Sequence, residues 1–239
     1  MNDIGFGILC FGEDFYFDGA REKMKNIIDK GFSCYVLTDN RSKFIFDFKS
    51  TDILLYDRAC KSYYDKMLLP KHILKFHDIC ILIDADTHIT DYSFLNDLKT
   101  YKFEKGISYV DVLLNHPERK QIVKELDMNS REWKYFHDKA LSMDSTFVWY
   151  ELMWEYFLVI NNDGFNQKEF FKPYETLQIA KEYGDSFSNK EVNGNGEGIA
   201  ISIAAKVSGT PCQRDLTLYL LVGDKMESVS RRFMRNDNK

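Results

Sequence analysis

The sequence predicts an α/β fold: one mostly parallel sheet flanked by helices, in a single domain. Three observations point there. Strand-like apolar runs alternate with helix-period stretches through the first hundred residues. Residues 78–83 (DICILI) carry a continuous apolar run, the pattern of a strand buried on both faces. The connections are short, and no linker composition divides the 239 residues, a length that suits one domain.

The elements follow in order. Residues 4–11 (IGFGILCF) read as a buried strand and 12–18 as a loop. In residues 20–30, Met24, Ile27 and Ile28 fall at helical spacing, and Gly31 ends that helix. Residues 33–37 (SCYVL) form a second strand, closed by a turn at Thr38, Asp39 and Asn40. Residues 44–46 and 53–56 are short extended pieces, and 58–76 a helix interrupted at Pro70. The second half is less regular. It reads as a strand at 107–114, a helix at 118–126, and an aromatic strand or bent strand pair at 146–160 (TFVWYELMWEYFLVI). A helix at 166–182, a glycine-rich polar loop at 184–198, a short helix at 199–207 and a late strand at 216–222 complete it. Parallel sheets bind ligands beyond the carboxyl ends of their strands, so whatever follows Phe11, Leu37 and Ile83 shares one rim.

Composition narrows the function. With 32 Lys and Arg against 37 Asp and Glu, the net charge of -5 argues against generic nucleic-acid binding. A basic patch stays open, because Arg231, Arg232 and Arg235 form a basic tail. No apolar run is long enough for a membrane-spanning helix, and the N-terminus lacks the basic region of a signal peptide. Cys10, Cys34, Cys60, Cys80 and Cys212 are dispersed without metal-site spacing. They read as buried free thiols in a reducing compartment, so the expectation is a cytoplasmic protein. The aromatic share of 15% means either ligand platforms or an AT-rich genome, such as that of a low-GC bacterium or its phage.

Asp84, Ala85 and Asp86 follow the apolar strand directly. Two carboxylates at i and i+2, where a strand leaves its sheet, can both face the rim. Such oxygen ligands suit Mg2+ or Mn2+, which can bridge a diphosphate and neutralise a departing nucleotide. The bland alternative is two solvated acids in a turn.

The surrounding residues carry a family resemblance. Tyr64-Asp65-Lys66-Met67-Leu68-Leu69-Pro70, then Phe76-His77-Asp78 and ICILI before Asp84-Ala85-Asp86, resembles the glycogenin-like and lipopolysaccharide galactosyltransferase-like families. There a Y-x-(R/K)-L-x-x-P segment precedes an apolar strand and a D-x-D. Cys34-Tyr35-Val36-Leu37-Thr38-Asp39 is similar to the Y-V-F-T-D strand of the blood-group and α-1,3-galactosyltransferase family. Both have the Rossmann-like GT-A fold and use nucleotide sugars. The resemblance covers roughly residues 4–95. It implies a nucleotide-sugar-binding half over 1–95 and an acceptor-side half over 96–239.

The resemblance implies that Asp86, helped by Asp84, binds Mn2+ or Mg2+ bridging the donor's diphosphate, with Asp84 also near the ribose and Ala85 among the donor-binding residues. Lys66 matches a basic helix residue that contacts the donor, unless it is a solvated lysine. Cys10, Phe11 and Gly12 would lie along the base through their backbone. Phe15 or Tyr16 stacks on the base or packs in the core. Thr38 and Asp39 end a strand on the same rim or form a plain turn. Two departures stand out. The glycogenin-like family takes a third metal ligand from a C-terminal H-x-x-G-x-x-K-P-W segment, whereas the last histidine here is His137. The blood-group family has H-D-E-S at the start of a late helix; here Gly194-Asn195-Gly196-Glu197-Gly198 matches only the glutamate.

Glu197 is the expected catalytic residue, as nucleophile, as stabiliser of an oxocarbenium-like centre, or as general base. Otherwise it is an acid favoured by a helix dipole. Gly194, Gly196 and Gly198 either let a loop close over the donor or are plain loop residues. Trp149 and Glu151 share one face of a strand and are expected to bind sugar, while Trp154 has opposite parity; a core strand would account for half of Trp149, Glu151, Trp154 and Glu155 without a ligand. His88 reads as solvated.

The expected activity is therefore metal-assisted transfer from a UDP-sugar to a saccharide hydroxyl, with retention implied by the resemblance alone. A hydroxylated base in phage DNA is a second acceptor. A sugar nucleotidyltransferase would carry a glycine-rich basic loop after its first strand, but Gly12-Glu13-Asp14 is acidic. A D-x-D-x-T phosphatase would need a threonine where His88 stands. A degenerate sugar- or nucleotide-binding protein is the non-enzyme reading.

Overall fold

A computed structural model describes residues 2–12, 14–55, 63–110, 131–147, 157–177 and 196–228. Its strands are β1 (Ile4–Cys10), β2 (Ser33–Thr38), β3 (Ile53–Leu55), β4 (Ile79–Ile83), β5 (Thr87–Ile89), β6 (Gly106–Tyr109), β7 (Phe157–Asn161), β8 (Cys212–Arg214) and β9 (Met226–Ser228). Its α-helices are α1 (Asp14–Asp29), α2 (Leu68–Ile73), α3 (Phe94–Leu98), α4 (Arg131–Met143), α5 (Gln167–Thr176), α6 (Gly196–Val207) and α7 (Leu216–Val222).

Seven strands form one sheet in the order β3-β2-β1-β4-β7-β6-β8. The pairs β1–β2, β2–β3, β1–β4 and β6–β8 are parallel, and β7 runs antiparallel to both neighbours. The carboxyl ends of β1, β2, β3, β4, β6 and β8 therefore share one rim. The turn after β4 leads straight into β5, which pairs antiparallel with β9 in a small second sheet. Among the described residues, no helix is long and apolar enough to cross a membrane.

Strand alternation divides the core between two faces. Leu9, Cys80, Leu82, Leu158 and Ile160 join the face packed by α2 and α6. Ile4, Phe6, Ile8, Ile79, Ile81 and Ile83 join the face packed by α1 and α3. On the α2 face, β1 presents Gly5 and Gly7. A Cβ at Gly5 would lie 2.6 Å from Ile73, and one at Gly7 2.8 Å from Leu82. The missing side chains let α2 lie close against the sheet.

Several expectations change. The first helix starts at Asp14 rather than after residue 18, because Phe17 already belongs to its buried face. Residues 44–46 form turns following a 3-10 helix over Arg41–Lys43, not a strand, with Phe44 N bonded to Arg41 O at 3.0 Å. Pro70 does not interrupt a helix; it sits in the first turn of α2, where amides have no intrahelical acceptor. Residues 216–222 are helix α7, not a late strand. The Asp215 side chain accepts a hydrogen bond from Leu218 N at 2.8 Å and caps the helix. That helix buries Leu218 and Val222 at i, i+4, leaving Leu220 80% exposed. The strand expected over 146–160 exists at its end, in β7; residues 148–156 lie outside the described residues. So do the 118–126 helix, the 111–114 end of the strand expected over 107–114, and the basic tail.

Candidate active site

β1 and β4 are neighbours in the sheet centre, and the chain leaves β4 at Asp84. A bond from Thr87 N to Asp84 O (3.1 Å) closes the turn through Ala85 and Asp86. Asp84 has the strand parity of Leu82 and so faces the α2 side. There it meets Lys66, which stands in a 3-10 turn over Tyr63–Met67 just before α2. Lys66 Nζ also donates to Glu197 Oε1 at 2.7 Å. Glu197 is the second residue of α6, 131 positions further along the chain. One ammonium thus ties the D-x-D turn to the start of a late helix.

This cluster is dry. The Lys66 and Glu197 side chains are 4% and 6% exposed, and that of Asp84 20%. Burial raises the Glu197 carboxyl well above its ordinary value; Lys66 opposes the shift, and Asp84 and Asp86 reinforce it. Asp86 is raised too, first by burial and then by the charge of Asp84. A second buried lysine, Lys23 of α1, donates to Ala85 O at 2.8 Å and to Gly19 O at 3.1 Å. Among the described residues, Asp84, Asp86 and Glu197 thus stand beside Lys66 and Lys23. Burial is the larger cause of both carboxyl shifts, and the neighbouring carboxylates add to it; one more cation would relieve that second part. Buried ion pairs are weak sources of stability, so this one is not explained by folding energy alone.

Asp84 and Asp86 are hard oxygen donors on one short turn, and the negative surplus around them fits a divalent cation. Among the described residues, no group of three His, Cys, Asp or Glu side chains stands ready as a complete ligand set. Mg2+ and Mn2+ commonly combine one or two carboxylates with phosphate oxygens and water, which this turn can accommodate.

The other expected residues fall as follows. Cys10 ends β1 beside Thr38 of β2, and its side chain is in the core. Burial, with Asp39 adding, pushes its thiol up to about 12 against Lys23; with the side chain in the core, its backbone is what the rim presents. Phe11 packs partly against the α2-face core, and Gly12 turns the chain with φ +101°. Tyr16 packs partly against the α1-face core, and its ring lies 3.9 Å from that of Phe15. Thr38 is buried and its Oγ1 accepts from Asn40 N at 3.1 Å, a turn contact. Asp39 follows β2 on the rim, half-buried. His88 is half-buried and stands opposite Glu227 in the small sheet. Trp149, Glu151, Trp154, Glu155 and Gly194 lie outside the described residues. Gly196 and Gly198 belong to helix α6 instead of a loop, and the Gly198 carbonyl accepts from Ser202 Oγ at 2.8 Å.

Lys23 is the site residue that the pattern reading missed. A signal was present: it lies between Ala20 and Ile27 on the buried stripe of α1, where a lysine is out of place. A surface cavity of about 810 Å³ between α1 and residues 46–52 has none of the clustered residues in its lining. Buried charge, not volume, marks this site.

No family model and no curated protein matches the chain. Among solved structures it is similar to the bifunctional glycosyltransferase WbbM in its apo form, at 14% identity and a TM-score of 0.52. That match covers 90% of this chain and 39% of WbbM. The glycosyltransferase GlyE of Streptococcus pneumoniae TIGR4 matches at 12% identity and a TM-score of 0.43, over 92% of this chain and 46% of that one. The galactosyltransferase LgtC, in complex with donor and acceptor sugar analogs, matches at 10% and 0.45, over 87% and 72%. The chain thus spans less than half the length of the WbbM and GlyE chains. At such identities the likeness to WbbM is a likeness of fold: the chain has the GT-A-like α/β architecture that its first hundred residues imply.

Proposed function

We propose that the protein is a nucleotide-sugar glycosyltransferase that moves a hexosyl or pentosyl group from a UDP-sugar to a hydroxyl of a saccharide acceptor. The observation that carries this reading is the buried bridge from Lys66 to Asp84 and Glu197 at the carboxyl rim of a GT-A-like sheet. Asp84 and Asp86 would hold Mg2+ or Mn2+, which supplies a counter-charge for the diphosphate leaving group. Every other task falls to the chain. The backbone at Cys10, Phe11 and Gly12 lies on the rim where a base binds, with Tyr16 beside it. Lys66 adds a fixed positive charge near the phosphates, in a dry setting where it acts strongly. Glu197, held by that same lysine, is the carboxylate positioned to meet positive charge at the sugar's anomeric carbon. Retention of configuration and the saccharide acceptor are supported by the sequence resemblance.

The test is incubation with a panel of UDP-sugars and Mn2+, with and without saccharide acceptors, reading UDP release. Slow hydrolysis of one donor, accelerated by an acceptor, is expected. Binding of UDP with no turnover of any donor, acceptors included, would replace this reading with that of a degenerate binding module.

A further inference from the structure

Lys23 is 3% exposed, yet among the described residues no carboxylate lies within salt-bridge distance of it. Its ammonium is satisfied by two main-chain carbonyls, Ala85 O at 2.8 Å and Gly19 O at 3.1 Å. Burying an ammonium on carbonyls alone is expensive, and a methionine would fill the same space without that cost. A compensating role is therefore expected of it. The same contact shows a second device. A Cβ on Gly19 would stand 2.6 Å from Ala85 O, so α1 approaches the turn at a point where only glycine fits. Ala85 is the middle residue of the aspartate turn. Its carbonyl points into α1, while Asp84 on one side reaches Lys66 on the opposite sheet face.

We propose that Lys23 is a positioning residue of the diphosphate site: by holding the Ala85 carbonyl against Gly19 of α1, it fixes the turn that aims Asp84 and Asp86 at the donor. This rests on the proposed reading of those two carboxylates. Burial lowers the Lys23 ammonium to about 8, while the charges of Glu22, Asp86 and Asp84 favour its protonated form. The ammonium's field therefore reaches both carboxylates through the turn it holds. Its role is geometric and electrostatic, and it touches neither donor nor metal.

The experiment compares Lys23→Met and Lys23→Arg with wild type by two readouts. The first is binding of Mn2+ with UDP, by titration calorimetry and by loss of the free Mn2+ resonance signal. The second is amide hydrogen exchange at Thr87, whose N–H closes the turn on Asp84 O. Lys23→Met is expected to weaken Mn2+ and UDP binding about 10-fold, the scale seen when a group orienting a metal ligand is removed. It should also speed Thr87 exchange while leaving β2 amides protected, and Lys23→Arg should recover part of both. If Lys23→Met proves too unstable to study, Gly19→Ala pushes on the same carbonyl without altering charge, and the same two changes are expected. Unchanged binding and unchanged Thr87 exchange in the folded variants overturn the proposal, as does acceleration spread evenly over all strands. Faster Thr87 exchange in a protein whose wild type binds neither Mn2+ nor UDP has another meaning. The lysine then holds the turn, but the turn is no diphosphate site, and the functional reading is what fails.

Discussion

The two faces of the sheet each bury one lysine beside the same turn, and they neutralise it differently. On the α1 face, Lys23 meets carbonyls contributed by its own helix and by Ala85. On the α2 face, Lys66 meets carboxylates from the end of β4 and the start of α6. Carbonyl dipoles hold an ammonium without being changed by it. Carboxylates answer to it: burial raises Glu197 and Asp86, Lys66 draws both back down, and each remains an acceptor of protons or cations. The contrast teaches that a buried cation can either shape a site or set its chemistry, and that the partner group decides which.

The sharpest break of that contrast is Lys66→Met. It leaves Asp84 and Glu197 buried without their shared cation, which costs about 3–5 kcal/mol in typical buried pairs. It should also reduce the proposed sugar transfer at least ~100-fold, by the scale of lost charge stabilisation. Urea denaturation and UDP-release rates check the two effects, and a folded Lys66→Met variant of unchanged rate would remove Lys66 from the site.

Glu197→Gln comes next, and its effect depends on pH. The folded-state carboxyl is raised from 4.5 to about 7, so its contribution to stability is whole below about pH 4.5 and is lost as pH rises through about 7. The glutamine has no such loss. Its stability relative to wild type should therefore improve across that window, by roughly 3 kcal/mol. Unfolding midpoints at several pH values measure this; a difference that stays flat shows that Glu197 ionises normally.

Gly7→Ala tests how the α2 face is built. The added Cβ would meet Leu82 at 2.8 Å and Ile73 at 2.9 Å, and overpacking of this kind costs about 1–3 kcal/mol. Because it displaces the helix following Lys66, it should lower activity more than an equally destabilising change on the α1 face, such as Ile27→Val. Equal losses of activity at matched stability would mean that the two faces do not differ in this way.

The smallest effect concerns α7. Asp215→Ala removes the cap on Leu218 N and the acceptor of the Tyr101 hydroxyl, and should cost about 1 kcal/mol. No change in the thermal midpoint would show that the helix does not depend on its cap.

What the sequence determined by itself is local and periodic. The apolar run ending at Ile83 specifies a strand buried on both faces, and two aspartates directly after it must emerge at a rim. The stripe of Met24 and Ile27 likewise specifies a helix, and both features arise from side-chain periods of two and near 3.6. Where the pattern was degenerate, chain context decided. The run LTLYLLV fits strand or helix by hydrophobicity, and the Asp215 cap with its buried i, i+4 pair selected the helix.

Tertiary structure alone decided the company of the charges. Glu197 was a plausible acid at a helix start, but only the packing of α6 brings it to a lysine 131 positions earlier. Nothing in the pattern around Lys23 points to Ala85 of the aspartate turn as its partner; the packing of α1 supplies that contact. Periodicity reports which face of an element is covered, whereas the sign and spacing of buried charges depend on contacts between elements far apart in the chain. Those contacts set the local field and the cost of desolvation, so they, and not the motif, determine what the carboxylates can do.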